Sequence, residues 1–151
     1  MPDSYGCNVS RSMASACEKL MTEKEFFDYL IDEYVKETGG DLPADGLGYY
    51  LEYFLDNYPP EKLELKLTKK VCARILHEFM FNVFKVPDIA WVKANSLKDI
   101  YDCRVCANAI AQVYERGIMP GVRENVFGLN ELVPKEEAQK YVESLLSYAS
   151  N

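Results

Sequence analysis

Three segments of this chain prepare to open a helix in the same manner, and that recurrence limits the folds open to it. They are Met21-Thr22-Glu23-Lys24-Glu25-Phe26-Phe27, Leu67-Thr68-Lys69-Lys70-Val71-Cys72-Ala73 and Val133-Pro134-Lys135-Glu136-Glu137-Ala138. Each begins with an apolar residue, follows it with Thr or Pro at a helix-start position, and then enters an apolar period of helical spacing. Thr22 with Glu25 reads as a capping box, and Met21 as its staple residue. The intervals from Thr22 to Thr68 and from Thr68 to Pro134 are unequal, at 46 and 66 positions, so the alternatives are three degenerate copies of one unit or a helical bundle without repeats.

The apolar pattern follows helical spacing nearly throughout. Phe26, Tyr29, Leu30 and Val35 form one stripe, which Gly39-Gly40 ends. Leu47, Tyr50, Tyr53 and Phe54 form a second, over about residues 46–57, until Pro59-Pro60 stops it. Val71, Cys72, Ile75, Leu76 and Phe79 form a third, up to a loop around Pro87-Asp88. After a short turn near residues 90–94, Cys103, Cys106, Ile110 and Val113 share a face before Gly117. Ala138, Tyr141, Val142, Leu145 and Leu146 face inward on the last helix. Alternation of strand type is brief everywhere, so the expected fold class is all-α. Residues 1–16, rich in Ser and small side chains, read as a flexible tail, and residues 17–151 as one domain.

With 48% apolar residues in 151, the chain can bury one good core. Its formal charge of −7 disfavours a nucleic-acid partner, and no basic stripe is expected along a helix. No run approaches the roughly 20 apolar residues that cross a bilayer, so membrane insertion is not expected. The N-terminus lacks the charged-then-apolar order of a signal peptide. The sequence as written therefore reads as cytoplasmic, and as a cell-surface protein if a leader precedes it. Five cysteines, an odd number, argue against a disulfide framework and for reduced thiols.

From Asp99 to Leu146 the chain carries, without a gap, Asp99, Ala109-Ile110, Gly117-Ile118-Met119, Gly121, Phe127, Asn130 and Glu137-Ala138. This order resembles one repeat of the S-layer homology family of bacterial cell-wall-anchoring domains. The resemblance implies a bundle of helix-loop-helix repeats, roughly residues 17–40, 41–88 and 97–149, arranged about a pseudo-threefold axis. Grooves between repeats would then hold an anionic wall polymer. Family repeats open their second helix with Thr-Arg-Ala-Glu; here Glu23, Lys69 and Lys135 stand at the Arg position, and Thr22, Thr68 and Pro134 at the Thr position. Val105-Cys106 replaces the usual Trp-Ala, and Leu129 the usual Pro. Lysine neutralises an anion as a point charge without arginine's bidentate fork. Gly117 and Gly121 are expected to supply positive φ, and Phe127 and Ile110 to fill the core.

The function expected from the resemblance is a non-catalytic binding or scaffold module, with Lys69, Lys135 and Asp99 lining its grooves and an anionic cell-wall glycan or a protein as partner. No cofactor is expected. The alternative rests on Cys103-Arg104-Val105-Cys106, a CxxC that could serve a redox or metal-binding protein. A third and fourth ligand would have to be Cys72 and His77, which lie about 140° apart around a helix. His77, the sole histidine, could pair only with Cys103 or Cys72 as nucleophile and has no evident third, orienting group, and no phosphate loop occurs, so an enzyme is not expected. Tyr49, Tyr50, Tyr53, Phe54 and Tyr58 form an aromatic cluster read chiefly as core. Asp28, Asp32, Glu33 and Glu37 form a solvated face.

Overall fold

The computed structural model describes residues 20–39 and 65–150. Among the described residues four α-helices occur: α1 (Glu23–Thr38), α2 (Lys69–Asn82), α3 (Arg104–Glu115) and α4 (Lys135–Ser150). Two 3₁₀ turns, Ala94–Ser96 and Ile100–Asp102, lead into α3. Among the described residues there is no strand, in agreement with an all-α chain. The helix expected over 46–57 and the aromatic cluster Tyr49 to Tyr58 lie outside the described residues, as does the tail 1–16.

Each helix forms for a reason legible in its ends. The capping box is present at α1: Thr22 Oγ1 accepts the Glu25 N–H at 3.1 Å, and the Thr22 N–H donates to Glu25 Oε1 at 2.9 Å. Gly39 closes α1 in the left-handed conformation, φ 85°, its N–H returning to the Val35 carbonyl. Gly117 does the same after α3 at φ 73°. Gly121 does not adopt positive φ; it is needed because a Cβ there would stand 2.5 Å from the Val126 carbonyl oxygen. The left-handed glycine of that loop is Gly128, φ 85°.

The helices pack with α2 against α3 most extensively, α1 against α4, and α2 against both α1 and α4. Phe26, Leu30, Leu76, Phe79, Ile110, Phe127 and Leu145 are wholly buried at their junction. Each contributes on the order of 2 kcal/mol by leaving water. Tyr34 stands edge-on to both Phe79 and Phe84, at 5.3 Å between centroids.

The segments that open α1, α2 and α4 also touch one another. Isolated antiparallel bridges join Thr22 to Lys66, Thr68 to Leu132, and Leu20 to Pro134. In every case the residue just before a helix pairs with the residue two places earlier in the next segment, and the third bridge returns to the first. The N–H of Glu23 donates to the Leu65 carbonyl and that of Lys69 to the Glu131 carbonyl, each at 2.9 Å. Three helix entrances thus form a closed ring with one register.

Candidate functional site

Of the three expected site residues, two point inward. Lys69 begins α2 yet is only 4% exposed; its Nζ donates to the Pro120 carbonyl at 2.5 Å and lies 4.4 Å from the centre of the Phe127 ring. Burial pulls its pKa below the usual lysine value, against the opposing pull of Glu137 and of Asp99. Asp99 accepts the N–H groups of Phe127 at 2.9 Å and Gly128 at 2.8 Å. Burial alone would raise its pKa, but these backbone donors outweigh it and hold the carboxyl below the usual range. Lys69 and Asp99 therefore meet at the same loop, residues 120–129, and fix it from both sides. Lys135, half-buried, opens α4, and Glu23, the residue at the corresponding place of α1, is buried.

The cations that face an open cleft are different ones. A cleft of about 550 Å³ lies where the ring of entrances meets the N-terminal end of α3. Lys66, Lys70 and Arg74 line it along one edge, with Glu23 as the carboxylate present. Lys70 and Arg74 are one turn apart on α2 and Lys66 lies on the bridged segment just before it, so three cations share the cleft where no basic stripe was expected. Each alone reads as a solvated charge; the four-residue spacing was the signal available. Thr68 also lines the cleft, and its Oγ1 is buried without a hydrogen-bond partner. Although Thr68 is the N-cap of α2 its side chain caps nothing, and Val71 at N3 offers no reciprocal side-chain bond to the Thr68 N–H.

A second cleft, about 530 Å³, lies between the end of α3 and α4. Its Arg116 is committed within the protein, to Tyr148 Oη at 3.2 Å, to Gln112 Oε1 and to the Pro87 carbonyl. Lys140 and Glu143 there balance in charge.

The far wall of the first cleft holds Cys103 and Cys106, and they are joined as a disulfide with Cα atoms 5.2 Å apart. This corrects the expectation of reduced thiols. An odd count argues against a framework of long-range links, but one helical turn brings a CxxC pair together with no framework at all. As a disulfide the pair offers no thiolate to a metal, and among the described residues no group of three metal-ligating side chains occurs. The shared apolar face holds for Cys106, Ile110 and Val113, all buried, whereas Cys103 is half-buried at the N-cap of α3. Cys72 is fully buried, which pushes its thiol well above the usual range.

His77 belongs to a polar network. Its Nε2 lies 2.8 Å from Asp88 Oδ1, and Asp88 Oδ2 accepts from Asn108 Nδ2 at 2.9 Å. Asn108 Oδ1 in turn accepts from Trp91 Nε1 and from Gln112 Nε2. Burial would raise the Asp88 pKa, yet the hydrogen bonds from His77 and Asn108 leave it lowered. The network fastens the 87–94 loop to α2 and α3. No family model, curated protein or solved structure matches the chain.

Proposed function

We propose that the chain is a non-catalytic binding module built on the plan of an S-layer homology domain, taking an anionic cell-wall glycan in the cleft between its repeat units. The observation that carries this reading is the ring of helix entrances, in which 22 pairs with 66, 68 with 132, and 134 with 20. One register repeated around a closed cycle is what three copies of a helix-opening unit produce, and unequal spacing between copies does not disturb it. The chain diverges from the family mainly at ligand-facing positions. Lysine at positions 69 and 135 keeps a cation in two of three units, but Lys69 is turned to the Pro120 carbonyl. In this reading Lys69 and Asp99 hold the loop that shapes the site. Lys66, Lys70 and Arg74, which line the cleft, supply charge to carboxylate or phosphate groups of the polymer, and Lys135, outside its lining, adds charge only from the neighbouring entrance of α4.

The test is binding of the full chain to isolated Gram-positive sacculi across a salt series, beside a Lys66→Ala, Lys70→Ala, Arg74→Ala variant and a Lys135→Ala variant. Expected is binding that weakens with salt and falls roughly tenfold or more in the triple variant, equivalent to about 1.4 kcal/mol. A folded chain that does not bind, or binds equally well without these three cations, overturns the glycan reading and directs the same cleft to a protein partner. Glycan binding also places the mature protein at the cell surface.

A further inference from the structure

We infer that Cys103 and Cys106 are a thiol–disulfide exchange site for protein dithiols, with Cys103 the sulfur that a partner attacks and Cys106 the one that leaves and later resolves. Position, accessibility and surroundings support this independently of the glycan reading.

The bond joins residues three apart, the N-cap of α3 and its first turn. It links no two elements of the fold, so it restrains very little of the unfolded chain and makes a poor staple. Its two sulfurs are unequal. Cys103 is half-buried on extended backbone, φ −133°, ψ 101°, at the rim of the 550 Å³ cleft, whereas Cys106 is 2% exposed inside the helix. Both cysteines line the cleft, but Cys103 is the more exposed of the two, so an incoming thiolate reaches it more readily than Cys106.

The surroundings favour negative charge on sulfur. Both cysteines sit at the positive end of α3, and Lys70 and Arg74 share their cleft. Cys72 shows the contrast: it is fully buried in the core and has no such outlet.

The exchange balances without metal or cofactor. A partner thiolate attacks Cys103 Sγ, the Cys103–Cys106 bond breaks, and its electron pair leaves on Cys106 Sγ, which takes a proton. The partner's second thiolate then attacks its own sulfur in the mixed disulfide and releases Cys103, which takes the second proton, both protons being those the partner's two thiols gave up. The chain gains two electrons and two protons, and the partner dithiol becomes a disulfide.

The test uses the full chain with Cys7→Ser and Cys17→Ser, so that the observed sulfurs are the described ones. Reduction by dithiothreitol is followed by alkylation and peptide mass, with circular dichroism as the control for folding. The reduced chain and its Cys106→Ser and Cys103→Ser variants are then exposed to oxidised glutathione. Expected is reduction with helicity intact. The Cys106→Ser variant should accumulate glutathione on Cys103 at least about tenfold faster than Cys103→Ser accumulates it on Cys106, while the intact pair should re-form its own disulfide. If either variant misfolds, competition between the two thiols of the intact reduced pair for limiting iodoacetamide reads the same asymmetry. Equal reactivity of the two sulfurs, reduction only on unfolding, or a pair that stays dithiol in oxidised glutathione each overturns the inference.

Discussion

The entrances of α1 and α2 begin with the same residue in nearly the same backbone, Thr22 at φ −81°, ψ 166° and Thr68 at φ −102°, ψ 164°, yet they are held in opposite ways. Thr22 caps its own helix within three residues. Thr68 caps nothing, and the α2 N–H groups go instead to distant carbonyls: Lys69 to Glu131 at 2.9 Å and Lys70 to Leu129 at 3.0 Å. One entrance combines a local capping box with a single distant carbonyl, Leu65, while the other relies on a loop some sixty residues away. The second arrangement makes no use of the Thr68 side chain. It leaves the Thr68 hydroxyl unpartnered on the cleft wall, where a self-capped helix would have used it.

Breaking the distant support should have the largest effect. Phe127→Ala removes a wholly buried ring from under Lys69 and should cost about 3–5 kcal/mol in denaturant unfolding. Amide exchange at Lys69 and Lys70 should rise with it, because their acceptors ride on that loop; unchanged protection there would mean that α2 does not need the loop.

Next comes Asp99→Asn, which weakens the two backbone hydrogen bonds and should cost about 1–2 kcal/mol at neutral pH. Because folding lowers the Asp99 pKa, its contribution is complete above the unfolded value, about 3.9, and is lost as pH falls through the lower folded value. The stability difference between wild type and variant should accordingly shrink below about pH 4. A gap that stays constant in acid would show that the carboxylate charge is not what holds the loop.

The smallest effects sharpen the contrast itself. Thr22→Ala should cost about 1 kcal/mol by chemical denaturation, while Thr68→Val, which removes only a hydroxyl with no partner, should stay within about 0.5 kcal/mol of wild type. Equal losses at the two threonines would abolish the distinction.

What could be read from sequence follows the same division. The α1 entrance was legible because Thr22, Glu25 and Gly39 act within one or two turns. The inward faces of α2, α3 and α4 were legible because burial repeats with the helical period, as in Ile75, Ile110 and Val142. The inward turn of Lys69 was not, since its partner Pro120 lies 51 positions away and nothing local distinguishes a buried lysine from an exposed one. Asp99 was singled out by the resemblance as a groove residue, whereas its carboxylate secures the backbone of residues 127 and 128. Gly128 escaped notice because positive φ is a property of the finished loop. The disulfide was missed because counting cysteines tests for long-range links and says little about neighbours in one turn.

The ring of entrances also has a consequence for the order of events in folding. The bridge between Leu20 and Pro134 joins residues 114 positions apart, and Thr68 to Leu132 spans 64. Closing such loops costs entropy before any contact repays it, so these bridges are expected to form later than the local cap of α1. During synthesis, the carbonyls that α2 relies on at 129 and 131 are among the last described residues to be made. Until they arrive α2 has no support at its start, whereas α1 carries its cap from the beginning. The chain thus waits for its C-terminal third to lock its middle.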